Sequence, residues 1–540
     1  MQKNVRRNIL IAASYAAVLL LGIIFGQNYA DQDQPVPKST LVPIGFSAHS
    51  YKTQQLLDLL SSSYVDSVNI DSIQNEMIKH ALAHLDPYSK YWQPSEVKAR
   101  TEVLEGTFEG IGMEYFNLND TLLVIGLINN GPADLAGFKV GDKILRIDDT
   151  HVSGTQISKE EIEDLIRGKR GTDVDVQIKR KDIADSFTIR VKRDQVKVSS
   201  IDASYMYDST VAYLRLRRFA LNSVKEFKEA ITELKKEGAE KLILDLRDNG
   251  GGYFHVAVEL ASEFFERDTL IVYTEGANEA RREYYSDREG ILKDEDLVIL
   301  INENTASASE IVTGAIQDWE RGTIVGRRSY GKGTVQEQFS FSDGSSVNLS
   351  VAKYYTPLGR SIQKEYLPKK NTENKETDIW ALDSVYARTQ SYITIGGNEL
   401  FSGGGIYPDI WVPRDSNAYM VFYQEVVNSH IIEQFLYDRF ARESPAYSLK
   451  NFLKGYHLPS QEYDAFVEFA TERGYVFDAQ KKRDLKDLIQ TDMEALVGRF
   501  YFGRSAYFKV KNREDDYLKA AMKVLNPHEL QNTEAENSQD

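Results

Sequence analysis

The sequence predicts an α/β protein: an α/β core preceded by a compact β-rich domain, with helical regions at both ends. Three patterns predict it. From 205 to 360, apolar runs such as KLILDL and DLVILIN alternate with amphipathic stretches such as NSVKEFKEAITELKKEG, as buried strands alternate with helices. From 104 to 194, short strand-like runs surround one helix-like stretch, SKEEIEDLIRG. From 48 to 103, and again from 415 to 525, apolar residues recur at three- and four-residue spacing, as on one face of a helix.

A chain of 540 residues is long enough for several domains. The formal net charge is -16 and the sequence pI is about 5.2, which argues against nucleic acid as the main partner, because phosphate binding wants a basic face. Cysteine is absent, so disulfides, thiolate zinc sites and a cysteine nucleophile are excluded. No HExxH pattern and no Walker-type phosphate loop is present, and no cofactor is called for.

Residues 1–30 read as a signal anchor or signal peptide. Lys3, Arg6 and Arg7 precede an uncharged stretch from Asn8 to Gln27, long enough to span a bilayer, with positive charge on the cytoplasmic side. This predicts a membrane-anchored chain on the periplasmic side of the inner membrane, or one secreted to the envelope. Residues 31–47 form a polar linker. Residues 48–103 form a helical module that breaks at Pro87 in HLDPYSKYW.

In the 104–194 domain, GTFEGIGMEY, TLLVIGLI, DKILRID, DVDVQIKR and SFTIRVKR read as strands, and Ser158 with Glu161 forms a capping box ahead of the helix. The 195–414 core follows. TVAYLRLRRF, KLILDL, DLVILIN, TIVG, TVQEQFSF and SVNLSVAKYY read as its strands, the last pair joined by a DGS turn. Residues 365–403 look like a polar, irregular insertion, 415–525 like a C-terminal helical region, and 526–540 like a disordered tail.

Three phrases carry chemistry. In NENTASASEI, Ser307 lies between a buried strand and a helix start, flanked by Ala306 and Ala308. Helix N-terminal N–H groups favour developing negative charge there, and the N–H of Ala308 is placed to serve an oxyanion. The alternative is a simple helix N-cap. In YGKGTVQ, Lys332 stands between two glycines with Gln336 four residues on. A lysine becomes a general base when burial lowers its pKa; the alternative is a surface lysine in a β-turn. In DLRDNGGG, Gly250 to Gly252 follow a buried strand and offer a second oxyanion donor; the alternative is a strand-to-helix turn. Of the eight histidines only His255 falls in the core, so a Ser-His-Asp triad would have to use it.

The phrase NNGPADLAGFKVGDKILRID resembles the PDZ domain pattern. That resemblance implies binding of an extended peptide by its C-terminal carboxylate, on the backbone N–H groups of Gly110, Ile111 and Gly112. LILDLRDNGGG, LINENTASASEIVTGAIQDWERGTIVGRRSYGKGTVQ and KYYTPLGRSIQ resemble the C-terminal processing peptidases, or tail-specific proteases, over roughly 48–412. The resemblance implies a crotonase-like (ClpP/crotonase) core and a serine–lysine endopeptidase. Ser307 would be the nucleophile, Lys332 the general base, and Gln336 the residue orienting the lysine. Ala308 and Gly251 would form the oxyanion hole. SIQ, from 361, and GGGIYPDI, from 403, lie close together in many members and are separated here by the 365–403 insertion. The partners implied are protein or peptide substrates held by their C-terminus, with a homo-oligomer or a regulatory partner suggested by the helical ends. The rivals are a catalytically silent PDZ scaffold in the envelope and a crotonase-type acyl-CoA enzyme.

Overall fold

The structure is a computed structural model that describes residues 40–41, 50–118, 120–181, 183–364, 390–414, 419–440 and 448–527. The signal or anchor segment 1–30, nearly all of the 31–47 linker, most of the 365–403 insertion and the tail from 528 lie outside these residues. Among the described residues no helix is long and apolar enough to cross a membrane. The chain divides into two compact units, residues 1–94 with 337–349, and residues 95–336 with 350–540.

In the first unit, helices Ser50–Ser63 and Ile70–Ala83 precede a short strand, Lys90–Trp92. Asn69 starts the second helix by accepting the Ser72 N–H at 3.0 Å. The break at Pro87 is a turn held by Asp86, which accepts the N–H groups of Tyr88 and Ser89, both at 2.7 Å. The strand then pairs antiparallel with residues 346–348, beyond a hairpin turn where Gly344 takes φ 86° and Asp343 accepts the Ser345 N–H.

In the second unit the β-rich domain is an antiparallel sheet. Its strands Met113–Leu118, Thr121–Leu127, Lys143–Ile147, Asp173–Lys179 and Phe187–Lys192 lie in that order. Strand Asp173–Lys179 buries Val174, Val176 and Ile178 and leaves the residues between them outward, the period-two pattern of a half-buried strand. Helix Lys159–Ile166 starts at the Ser158–Glu161 capping box. The phrase read as one strand, GTFEGIGMEY, is two. Thr107–Gly110 pairs with Asp194–Lys197 where the chain enters and leaves the domain. Gly112 at φ 75° then turns the backbone into Met113–Leu118.

The core sheet runs Ile201–Met206, Val211–Leu216, Lys241–Asp245, Asp296–Ile301, Thr323–Gly326 and Ile410–Trp411. Only its first pair is antiparallel. Both faces are covered, which is why its central strands are continuous apolar runs. Leu242, Leu244, Leu297, Ile299 and Ile301 face the helices Ser223–Lys236, Phe254–Ser262 and Ala308–Asp318. Ile243, Val298, Leu300 and Val325 face the opposite way, onto Tyr517, Leu518, Ala521 and Leu525 of the late helix Asp516–Leu525. A second sheet includes strand Leu270–Glu275, which pairs with Arg282–Tyr285 and with residues 353–355. The stretch read as an irregular insertion also departs from the sequence reading. Residues 391–393 and 399–401, inside the stretch read as irregular, form a two-stranded hairpin, closed by Gly397 at φ 89°. The helices from 420 to 502 build a separate apolar core of their own around Val426, Leu436, Phe466 and Met493.

Because Leu518 is fully buried against the core sheet, Leu518→Ala is expected to destabilise the protein by about 2–5 kcal/mol. Urea unfolding followed by tryptophan fluorescence measures it.

Candidate active site

Strand Asp296–Ile301 ends in residues 302–306, and helix Ala308–Asp318 begins immediately after Ser307. Side-chain hydrogen bonds stitch this connection to the neighbouring glycine loop. Thr305 Oγ1 donates to the Leu246 carbonyl at 2.9 Å, and Asn302 Oδ1 accepts the Asp248 N–H at 3.0 Å. Asn249, fully buried, holds both loops at once. Its carbonyl accepts the Ala306 N–H at 3.0 Å and the Ser309 hydroxyl at 2.9 Å, and its Nδ2 donates to the Leu216 carbonyl at 2.8 Å. Its Oδ1 accepts the Gly251 N–H at 2.9 Å.

Ser307 sits at φ 58°, ψ -116°. This lies outside the extended conformation of a capping serine; left-handed φ in a non-glycine residue is strain concentrated at functional sites. The turn lifts the serine out of the helix, as a nucleophile elbow does. Gly251, at φ 98°, packs directly against it: a Cβ there would lie 2.9 Å from Ser307 Cβ, the Ala308 nitrogen and the Ala306 oxygen. Only glycine permits that approach. Ser307, Ala308 and Gly251 are therefore brought together. The Gly251 N–H is engaged by Asn249, so donating to an oxyanion requires that bond to be shared or exchanged.

Lys332 reaches Ser307 through a residue the sequence did not single out. Glu310 is fully buried in the first turn of a helix buried along its whole length. Its Oε2 accepts the Ser307 N–H at 2.7 Å and the Lys332 N–H at 3.0 Å; its Oε1 accepts the Gly331 N–H at 2.7 Å and the Ser329 hydroxyl at 2.5 Å. Burial pushes the Glu310 carboxyl up to about 7, against these donors, which pull it down. The Tyr354 hydroxyl adds a second tie, meeting the backbone carbonyls of Ser307, at 3.0 Å, and Lys332. Lys332 Nζ donates to Gln336 Oε1 at 3.0 Å, so the i, i+4 pair across GKGTVQ is made. The KYYTPLGRSIQ segment is pinned to the same helix by the buried Arg360, whose Nε donates to Asp318 Oδ1 at 2.8 Å and whose Nη2 donates to Gln317 Oε1 at 3.0 Å.

Beneath the glycine loop lies a buried charge network. Asp245 accepts from Tyr213 at 2.6 Å, Arg215 at 2.8 Å and Arg247 at 2.7 Å. Burial opposes its charge, yet Arg247 and Arg215 hold its carboxyl well below the usual range. Arg247 also donates to Asp515 at 2.7 Å, ahead of the late helix. His255, by contrast, is half-buried with its ring against Tyr253, centroids 5.2 Å apart; burial lowers its pKa.

Gly110 ends the first strand of the split phrase, and Ile111 and Gly112 lie between it and the second, all three buried. The Ile111 side chain belongs to the domain core, and its carbonyl accepts the Ala133 N–H at 2.8 Å. Strand Met113–Leu118 is the edge of the sheet.

Glu310, Asn249 and Tyr354 escaped the sequence reading. An acid in a first helical turn fits the helix dipole on any helix. No sequence signal marked it: in SEIVTGAIQDW, Thr313 and Gln317 share the helical face of Glu310 and make that face read as a solvated polar stripe.

Residues 210–372 match the model of peptidase family S41, residues 110–191 that of the PDZ domain, and residues 422–503 that of a family of unknown function, DUF8443. The chain thus carries a region matching peptidase family S41 and, ahead of it, one matching the PDZ domain. It is similar to the carboxy-terminal processing protease CtpA of Bacillus subtilis (strain 168), 31% identical over 58% of this chain and 66% of the relative. It is also similar to a probable CtpA-like serine protease of Staphylococcus aureus (strain MRSA252), 31% identical over 58% of this chain and 63% of the relative. The chain therefore spans just under two thirds of the length of these relatives. Among solved structures it is similar to a photosystem II D1 C-terminal processing protease, 25% identical, covering 68% of this chain and 94% of that one, with a TM-score of 0.36.

Two outcomes follow from the geometry. Gly251→Ala keeps the backbone N–H but would place a Cβ 2.9 Å from Ser307 Cβ and the Ala308 nitrogen; the displaced turn is expected to reduce labelling of Ser307 by a fluorophosphonate about 100-fold, the scale of misplacing a reacting group, read by mass spectrometry of the tryptic peptide. Glu310 holds its proton more tightly folded, at about 7, than unfolded, at 4.5, so its contribution to stability is present below pH 4.5 and is lost as pH rises to about 7. Glu310→Gln is expected to abolish that slope and, by leaving donors unmatched, to cost about 1–3 kcal/mol; denaturant unfolding at pH 5 and pH 7.5 measures both.

Proposed function

We propose that this protein is a serine endopeptidase of the cell envelope that captures the C-terminal end of a protein substrate in its PDZ domain and cleaves upstream of it. The observation that carries the reading is the Glu310 carboxylate, which accepts the backbone N–H groups of both Ser307 and Lys332 and so fixes the two candidate reactive residues in one frame.

In this reading the neutral amine of Lys332, oriented by Gln336, takes the Ser307 hydroxyl proton as Ser307 Oγ attacks the scissile carbonyl. The N–H groups of Ala308 and Gly251 hold the oxyanion, an effect worth about 2.7–4 kcal/mol per donor. For Gly251 this means exchanging its bond to Asn249. The lysine passes its proton to the leaving amine, and the acyl-enzyme forms. Water, deprotonated by Lys332, attacks the ester; the carboxylic product leaves and the serine recovers its proton. No cofactor takes part. The core is read as crotonase-like, supported by parallel strands alternating with helices and by a reactive turn at a helix start. The domain division proposed is the one the sequence suggests, with PDZ at 104–194 and the protease core at 195–414. Gly110, Ile111 and Gly112 are the proposed carboxylate-binding donors, and strand Met113–Leu118 the edge to which the peptide adds. Location outside the cytoplasm rests on the charge and apolarity of residues 1–30.

The chain lacking residues 1–30 is expected to cleave casein, and Ser307→Ala and Lys332→Ala are each expected to lower the rate about 1,000-fold or more. Cleavage by Ser307→Ala at the wild-type rate overturns the assignment.

A further inference from the structure

Residues 422–503 match a family to which no function is attached, yet the structure gives them a partner. Strands Met113–Leu118 and Thr121–Leu127 of the PDZ domain alternate. Met113, Tyr115, Leu122 and Val124 face the domain's own core, whereas Glu114, Phe116, Leu123 and Ile125 face away from it. That outer face is covered. Leu123 is only 3% exposed, and what buries it is Tyr437 of helix Ile431–Phe440, with Phe116 and Ile125 packed alongside. The Tyr437 hydroxyl donates to the Gly141 carbonyl at 2.8 Å, and Lys143 Nζ lies 5.3 Å from its ring centroid. Phe116 meets the His430 ring at 4.6 Å.

Beside this apolar patch is an ionic one. Glu114 accepts from Arg499 at 2.7 Å and from Arg504 at 2.6 Å. The other arm of Arg504 donates to Asp202 at 2.6 Å, on the first strand of the protease sheet. Gly126, paired with Glu114, leaves the space: a Cβ there would come within 3.0 Å of the carboxylate. One side chain, Arg504, thus links the PDZ strand to the protease core, and Arg499 links it to the helical module.

We propose that residues 422–503 are the seat of the PDZ domain, and that the ion pairs of Glu114 with Arg499 and Arg504, continued to Asp202, are the latch that sets the domain's position on the protease core. The strand that carries the latch is the strand whose free edge would receive a peptide. One strand therefore serves three contacts: its edge for peptide, its inner face for the PDZ core, its outer face for the seat. The seat and the latch do not depend on the proposed peptide capture.

The test is amide hydrogen exchange on the full chain, read at 113–127 and 431–440, with 241–245 and 296–301 as internal controls of folding. In Glu114→Gln, exchange in the first two segments is expected to speed up about ten-fold or more while the controls stay unchanged. Molar salt, where the screening length is about 3 Å, is expected to speed the wild type and to leave Glu114→Gln unaltered. Tyr437→Ala is expected to loosen the same segments and to remain salt-sensitive. If Glu114→Gln exchanges like the wild type, or salt affects both equally, the latch is overturned. If Tyr437→Ala leaves both segments protected, the seat is overturned. Cleavage enters none of these readouts, so an inert enzyme leaves the proposal standing on its own evidence.

Discussion

A single carboxylate, that of Glu310, organises the reactive region. Removed from water, it would be costly without partners, and it has four: the N–H groups of Ser307, Gly331 and Lys332 and the hydroxyl of Ser329. Two of those donors belong to the residues proposed to do chemistry, and they come from segments 25 residues apart in sequence. The same bonds that keep the acid in the interior thus hold the GKG turn against the serine turn. Tyr354 repeats the arrangement from the carbonyl side. The unusual backbone of Ser307 persists because its N–H is fixed from below and its neighbours by Asn249 from the side.

Below this lies a second dependency. The glycine loop that approaches Ser307 follows Asp245, and Asp245 is charged in the interior only because Arg215 and Arg247 accompany it. Breaking such a group by removing one partner is far more damaging than never having it. Arg247 reaches on to Asp515, so the loop, the sheet and the late helix share one electrostatic frame. The Arg360–Asp318 pair does the same for the far end of the helix that carries Glu310.

Much of this was legible in the sequence. KLILDL and DLVILIN announced strands buried on both sides, and they are. The capping box at Ser158 and the DGS turn were local signals and hold locally. Signals failed where partners are distant. The periodicity of DYLKAAMKVL shows that a face is buried, not that it is buried on Ile243 and Val298. Residues 391–401 read as irregular because their strands are only three residues long, too short for alternation to register. GTFEGIGMEY read as one strand because glycine is silent about φ until the chain around it is placed. Ser307, Lys332 and Gln336 stood out by motif; Glu310 did not, since its importance lies in what surrounds it.

The late helix has a consequence for the order of assembly. Arg247 and Asp515 are 268 residues apart in sequence, and the sheet face formed by Tyr213, Ile243 and Val298 is covered by Tyr517, Leu518, Ala521 and Leu525. Contacts of such sequence separation form late and slow folding. During synthesis the strands that frame the serine turn emerge first and wait, one apolar face open, until helix Asp516–Leu525 has left the ribosome. The half-made chain is therefore both the one most exposed to aggregation and the one in which the glycine loop lacks its anchor. A nascent chain built this way sets the geometry of its serine turn only as that sheet face is covered.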